Sequence, residues 1–311
     1  MDHDFISIIV PAHNEERYLS QCLASLIDQD YPSEKYEIIL VNNNSTDGTE
    51  KIAKSFKVIT FDQKTGPVGA VRNAGAASAK GSILAFIDAD CIAPKNWLST
   101  GFSLINNGNT VCGGGYDLRP KPFWLEKAWL LKTDQPPKDL LGGCIIINKN
   151  HFFSIGGFDE KITSGEDTKL TISLKKKGYK VIMDSALNVI HLGNPIKLGH
   201  FFTRQVWHSE NYLQNFSDSI KDPTFYLVIA FLASIVTMVL FIILNNSAGF
   251  TIFFAIAAII PVTLSVKRLF RSKYLLSNLR NLPSIYLLDL TYVSARVIGL
   301  YKSFVTIIKS I

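Results

Sequence analysis

From Thr224 to Leu244 the chain reads TFYLVIAFLASIVTMVLFIIL, without one charged side chain. No other feature restricts the possible folds so severely. At about 1.5 Å of rise per residue, such a run crosses the ~30 Å hydrocarbon core of a bilayer. In that solvent a segment satisfies its own backbone groups only as a helix. Asn245-Asn246-Ser247 interrupts the run, and a second uncharged stretch extends from Ala248 to Val266. A pair of core helices in a soluble protein is the competing explanation. Two neighbouring uncharged runs of about twenty residues are longer than such a core requires.

The charge distribution agrees. Residues 1–222 hold 24 Lys/Arg and 25 Asp/Glu, whereas residues 223–311 hold eight basic residues and a single acid, Asp289. The formal net charge of +6 therefore belongs to the apolar C-terminal part, which argues against a nucleic-acid partner and for a membrane. Lys267, Arg268, Arg271, Lys273 and Arg280 follow the second run. By the positive-inside rule they place that loop in the cytoplasm, the neutral turn outside, and residues 1–223 in the cytoplasm. The expected organisation is a cytoplasmic domain over 1–222 and a membrane domain over 223–311, in the cytoplasmic (inner) membrane. A third apolar stretch, Ile285 to Tyr301, carries Asp289 and Arg296 seven residues apart on one helical face. It reads either as an in-plane amphipathic helix or as a further span. Met1-Asp2-His3-Asp4 is acidic, and the apolar run after it stops at Pro11, unlike a signal peptide. Four scattered cysteines (Cys22, Cys91, Cys112, Cys144) form no Cys-x-x-Cys pair, so reduced thiols and no zinc signature are expected.

Residues 1–222 alternate strand and helix patterns. Ile6 to Val10 reads as a strand, followed by Pro11-Ala12-His13-Asn14-Glu15-Glu16 and a helical spacing of Leu19, Cys22, Leu23 and Leu26. Glu37 to Val41 is a second strand, running into the turn formers Asn42-Asn43-Asn44-Ser45-Thr46-Asp47-Gly48-Thr49. Val58 to Phe61 is a third. Gly66-Pro67-Val68-Gly69 leads into a small-residue helix, Ala70 to Ala79. Then comes Ser82-Ile83-Leu84-Ala85-Phe86-Ile87-Asp88-Ala89-Asp90, an apolar strand ending abruptly in two acids. This order predicts a mostly parallel α/β sheet, whose ligand site lies beyond the strand ends. An Asp-x-Asp there suits one hard cation, Mg²⁺ or Mn²⁺, against phosphates. Neither GxGxxG after a strand nor GxxxxGK[ST] occurs.

PAHNEE, NNNSTDGT, GAVRNAG and IDAD, in this order, resemble the GT-A glycosyltransferases, in particular the large family 2 of bacterial-type sugar transferases. Gly142-Gly143-Cys144 with Gly156-Gly157-Phe158-Asp159-Glu160 resembles that family's acceptor-side loop, and Gly165-Glu166-Asp167 its Glu-Asp motif. The resemblance covers about residues 5–210. It implies a Rossmann-like nucleotide-diphospho-sugar transferase fold and a hexosyltransferase-type enzyme.

The resemblance also implies roles. Pro11, Ala12, His13 and Glu15 should line the nucleotide pocket. Where the family usually carries an acid, this chain has only Asn42-Asn43-Asn44, with Asn43 the candidate for reading the base. Arg72 should face the diphosphate. Asp90 should bind Mn²⁺ or Mg²⁺ directly, Asp88 should contact the ribose or the metal's waters, and His191 should add a further metal ligand. Asp167 should be the general base, with Glu166 its competitor, since neighbouring residues point in different directions. Trp124, Trp129 and the segment 116–140 are candidates for the acceptor side. Arg204-Gln205-Val206-Trp207 only partly echoes the Gln-x-x-Arg-Trp of processive synthases, in the wrong order. The expected function is transfer of a sugar, with inversion, from a UDP- or GDP-sugar to a membrane-proximal acceptor such as a lipid-linked glycan. A silent scaffold that keeps the fold, or a subunit of a processive synthase, are the alternatives.

Overall fold

The uninterrupted apolar runs become strands covered on both faces. The computed structural model describes residues 4–63, 66–131, 136–214, 216–272 and 278–310; Lys273 of the basic loop lies outside them. The strands are β1 (Ile6–Ala12), β2 (Tyr36–Asn42), β3 (Ile59–Asp62), β4 (Ile83–Phe86), β5 (Cys91–Ile92), β6 (Val111–Gly113), β7 (Tyr116–Asp117), β8 (Ile145–Asn148), β9 (Val181–Met183) and β10 (Val189–His191). The helices are α1 (Leu19–Ile27), α2 (Thr49–Ser55), α3 (Val68–Ser78), α4 (Trp97–Asn106), α5 (Trp124–Trp129), α6 (Lys149–Ser154), α7 (Glu166–Lys176), α8 (Leu198–Ser209), α9 (Phe216–Ser219), α10 (Pro223–Ile243), α11 (Ser247–Arg271) and α12 (Leu282–Ser310).

A seven-stranded sheet has the order β3-β2-β1-β4-β8-β6-β9. β1 is parallel to β2 and β4, β2 to β3, and β6 to β9, while β8 lies antiparallel between β4 and β6. The mostly parallel sheet is as expected. The antiparallel β8 is not, because its run Ile145-Ile146-Ile147 looks like any other buried strand. A small second sheet, β5-β10-β7, pairs Cys91 with His191.

Alternation along β1 explains the packing. Ile6, Ile8 and Val10 join Leu19 and Leu23 of α1 in one core, whereas Ile9 joins Ile39, Val71 and Phe152 in the other. Each such aliphatic side chain contributes about 1.5–3 kcal/mol on full burial. On the second face, α3 lies close to the sheet because it is built from small residues. A Cβ on Gly75 would sit 2.5 Å from Ile9 Cγ2. This proximity carries Arg72, on the same helix, inside the protein, where it is 2% exposed.

The chain divides into two compact units, Met1–Pro120 with Gln135–Asn194, and Lys121–Asp134 with Pro195–Ile311. The segment containing α5 and the helix α8 therefore group with the C-terminal helices. In the second unit, α10 and α11 form a hairpin. Asp222 caps α10 by accepting from Thr224 N, Pro223 occupies its first turn, and Asn246 caps α11 by accepting from Gly249 N. Asn245 takes the left-handed conformation between them, at φ 53°, which Asn tolerates better than most residues. Both helices are long and apolar enough to cross a membrane, with mean hydropathies of 2.8 and 2.2, and only 17% and 22% of their most apolar stretches are buried. The α12 helix is continuous, and its charged face is the packed one. Asp289 is fully buried, with Oδ1 2.6 Å from Arg268 Nη2. Arg296 donates to the Tyr212 hydroxyl at 2.7 Å and to Gln205 Oε1 at 3.2 Å. Asp289 and Arg296 thus form no water-facing stripe, while Leu287, Ile298 and Phe304 on the same helix stay exposed.

Candidate active site

The polar loops after β1 and β2 lie side by side because the two strands are parallel and in register to Ala12 and Asn42. Their side chains lace the loops together. Asn43 N–H extends the ladder to Ala12 O at 2.8 Å, and His13 Nδ1–H donates to Asn43 O at 2.6 Å. Thr46 N–H donates to Asn14 Oδ1 at 2.8 Å, Glu15 N–H to Thr49 Oγ1 at 2.7 Å, and Gly48 N–H to Glu16 Oε2 at 2.7 Å. Asn14 itself adopts φ 57° to turn the loop. Pro11 and Ala12 are buried strand residues, and His13 is exposed at the rim. The amides of the Asn run separate into different tasks. Asn42 is buried and donates to Asp62 Oδ1 at 2.8 Å, while Asn43 keeps only a long contact to Gly66 O, 3.4 Å.

Glu15 turns its carboxyl toward the end of β4. Burial, reinforced by the charges of Asp90, Asp88 and Asp47, raises its pKa to about 8. Glu15, Asp88 and Asp90 so placed ask for a cation. Asp88, Asp90, Cys91 and His191 present one donor atom each, all within 4.8 Å of one another. The β5–β10 register accomplishes this by setting His191 opposite Cys91, and Leu192 N–H donates to Asp90 O at 2.8 Å. His191 Nε2 is 3.6 Å from Asp90 Oδ2, its ring stands edge-on to Tyr116 at 4.8 Å, and its Nδ1 is buried without a hydrogen-bond partner. Gly193 closes the cradle: a Cβ there would lie 1.8 Å from Asp90 Oδ2. Two carboxylates and an imidazole around such a cradle fit Mn²⁺, and Mg²⁺ less closely because of the nitrogen donor. Burial and the neighbouring acids push the Cys91 thiol well up.

On the other side, α7 begins at Gly165, held at φ 82°, and presents Glu166 and Asp167 in its first turn. They do point in different directions. Glu166 is buried and accepts from Arg72 Nη1 at 2.7 Å, while Arg72 Nη2 donates to Asp88 Oδ1 at 2.6 Å. The guanidinium, sequence-predicted to face a diphosphate, is here clamped between two carboxylates, which hold its pKa above its ordinary value; its Nε has no partner. Asp167 Oδ2 accepts from Gly142 N at 3.1 Å and Oδ1 from Thr168 N at 2.7 Å. Burial and the charge of Glu166 raise its pKa to about 6.

The Gly142-Gly143 pair is required by close approach. A Cβ on Gly142 would be 2.5 Å from Arg72 Nη2, and one on Gly143 would be 2.9 Å from both Asp88 Oδ2 and the Tyr116 hydroxyl. Asn73 locks the later loop by exchanging hydrogen bonds with Phe158 N and O, each 2.9 Å. Cys91 and Gly193 escaped the sequence reading, and Tyr116 entered it only as the first residue of the acceptor-side segment 116–140. Cys91 adjoins the Asp-x-Asp and Gly193 follows His191 by two, so only the register that joins them could have identified them. Trp124 and Trp129 belong to the other unit, where Trp124 is exposed and Trp129 packs on Phe201 and Tyr292.

Residues 7–159 match the family described as Glycosyl transferase family 2. Glycosyltransferase AglE of Haloferax volcanii is 38% identical over 193 residues, spanning 57% of this chain and 63% of that protein. Probable glycosyltransferase YdaM of Bacillus subtilis is 28% identical over 206 residues, covering 57% and 48%. The chain thus accounts for less than two thirds of the length of either. Among solved structures, the mannosyltransferase of Pyrobaculum calidifontis, in complex with GDP-Man and Mn²⁺, aligns over 98% of this chain and 88% of its own, with a TM-score of 0.62 at 17% identity. At that identity the likeness is one of fold.

Proposed function

We propose, from the match of residues 7–159 to glycosyl transferase family 2, that the chain is a metal-dependent, inverting glycosyltransferase anchored in the cytoplasmic membrane. It takes a UDP- or GDP-sugar and a membrane-proximal acceptor, in the first place a lipid-linked glycan. The carrying observation is the convergence of Asp88, Asp90 and His191 within 4.8 Å, with Arg72 joining Asp88 to the helix turn that presents Asp167.

In this reading the laced loops bind the nucleotide, with Asn43 offering donor and acceptor to the base. Asp90 and His191 hold Mn²⁺ or Mg²⁺, the former being the ion in the Pyrobaculum complex, and Asp88 reaches the ribose or the metal's waters. When bound, the cation neutralises charge on the diphosphate leaving group. Arg72 and Glu166 fix Asp88 and the start of α7. Asp167, with its pKa near the working range, accepts the acceptor hydroxyl's proton as the anomeric carbon is attacked from the face opposite the leaving group. The anchor confines the enzyme to the bilayer, which raises its effective concentration toward a lipid-borne acceptor.

The test is nucleotide release by detergent-purified protein across UDP-, GDP- and TDP-sugars with Mn²⁺ or Mg²⁺, with donor binding measured on the same samples. The expected result is metal-dependent turnover of one donor, abolished in Asp90→Ala and Asp167→Asn. Absence of any nucleotide-sugar binding, with or without metal, overturns the enzyme reading in favour of a silent scaffold.

A further inference from the structure

Within the second unit a pocket of about 310 Å³ opens beside the end of α11. Lys267, Arg268 and Arg271 line it on one side, Trp129 and Tyr292 supply aromatic walls, and Leu264 lies one turn deeper. Arg268 is fully engaged. Its Nη2 meets Asp289, its Nη1 donates to Trp129 O at 3.1 Å, and its guanidinium lies 4.4 Å over the Trp129 ring. Asp289 neutralises that one cation. The side chains of Lys267 and Arg271 form no hydrogen bond or ion pair with any described residue. They stand four residues apart, so their like charges repel along one helical face.

The helix dipole and the positive-inside rule explain cations near the end of α11. Neither requires a cleft, an oriented arginine or aromatic walls. A pocket with two cations unpaired among the described residues and a leucine one turn away matches a ligand with an anionic head and an apolar continuation. We propose that this pocket binds the phosphate head of a membrane lipid. Lys267 and Arg271 contact the phosphate oxygens, Arg268 is a preset donor, and Leu264 receives the first carbons of the chain. The inference rests on the reading of α10 and α11 as membrane helices.

The test uses the full-length chain in a neutral detergent and dodecyl phosphate as probe, followed by tryptophan fluorescence. The Lys267→Gln/Arg271→Gln double variant should bind at least tenfold more weakly, while Lys51→Gln/Lys176→Gln, which removes the same charge elsewhere, should bind like the wild type. Because the side chains of Lys267 and Arg271 hold none of the described residues, circular dichroism and the melting temperature of the pocket variant should stay unchanged. Inorganic phosphate should compete poorly. Equal binding by both variants, or equal competition by inorganic phosphate, overturns the proposal. Displacement by phosphatidylglycerol identifies a bulk anionic lipid as the occupant, and displacement by a polyprenyl phosphate alone identifies the acceptor class. Donor binding by the same samples separates the two readings. Lost lipid binding with intact donor binding fails this inference only, and the converse fails only the enzyme reading.

Discussion

Adjacent acids in one helical turn carry different burdens. Glu166 is held by Arg72 in a buried pair, whereas Asp167 is held only by backbone amides and keeps its raised pKa. Asp167→Asn should therefore lower turnover by about 10²–10⁴-fold with donor affinity and melting temperature nearly unchanged. Glu166→Gln should destabilise the fold by about 3–5 kcal/mol, since it strands part of a buried charge. Chemical denaturation and single-turnover kinetics on both variants distinguish the roles; equal stability losses would contradict the division. Gly193 offers a sharper probe of the proposed cation site, since a methyl there intrudes on Asp90. Gly193→Ala should weaken Mn²⁺ binding about 10–100-fold, the size typical of disturbing the support of a ligand, as titrated by electron paramagnetic resonance.

Elements bring these residues together, and at this scale the limits of the sequence become visible. That polar turns follow β1, β2 and β4 could be read in advance, because apolar runs ending in polar turns mark where a parallel sheet places its ligands. The Glu-Asp helix start was readable from Gly165. What could not be read was pairing between short strands. β5 and β10 have two and three residues, too few for a pattern, yet their register is what sets His191 beside Asp90. The clamp on Arg72 was equally hidden, since it links partners 94 residues apart and depends on α3 lying tight against β1. That closeness can be tested directly. Gly75→Ala should cost about 1–3 kcal/mol through overpacking against Ile9, and should also lower donor affinity by moving Arg72. A stability unchanged in urea titration would show that the helix has room to spare.

At the scale of the whole molecule, the acid cluster couples stability to pH. Glu15 and Asp167 have folded pKa values of about 8 and about 6, against ordinary values of 4.5 and 3.8. Both are raised, so the folded state holds protons that the unfolded chain has released. Their contribution is complete below about pH 4 and is lost as pH rises through 6 and then 8. The metal-free protein should accordingly melt at lower temperature at pH 8.5 than at pH 6, and Mn²⁺ should remove most of the difference by supplying the missing charge. Glu15→Gln should flatten the upper part of the curve. Turnover runs the other way, rising through about pH 6 as Asp167 ionises. The α10–α11 hairpin has a consequence for how the protein is made. Its tip, from Asn245 to Ser247, bears no charge and is too short to hold a folded segment. If α10 and α11 cross the bilayer as proposed, two helices joined by such a tip can enter it as one preassembled wedge, with no charged loop to be carried across. In the proposed topology the heavy, ionised part of the chain never has to leave the side on which it was synthesised.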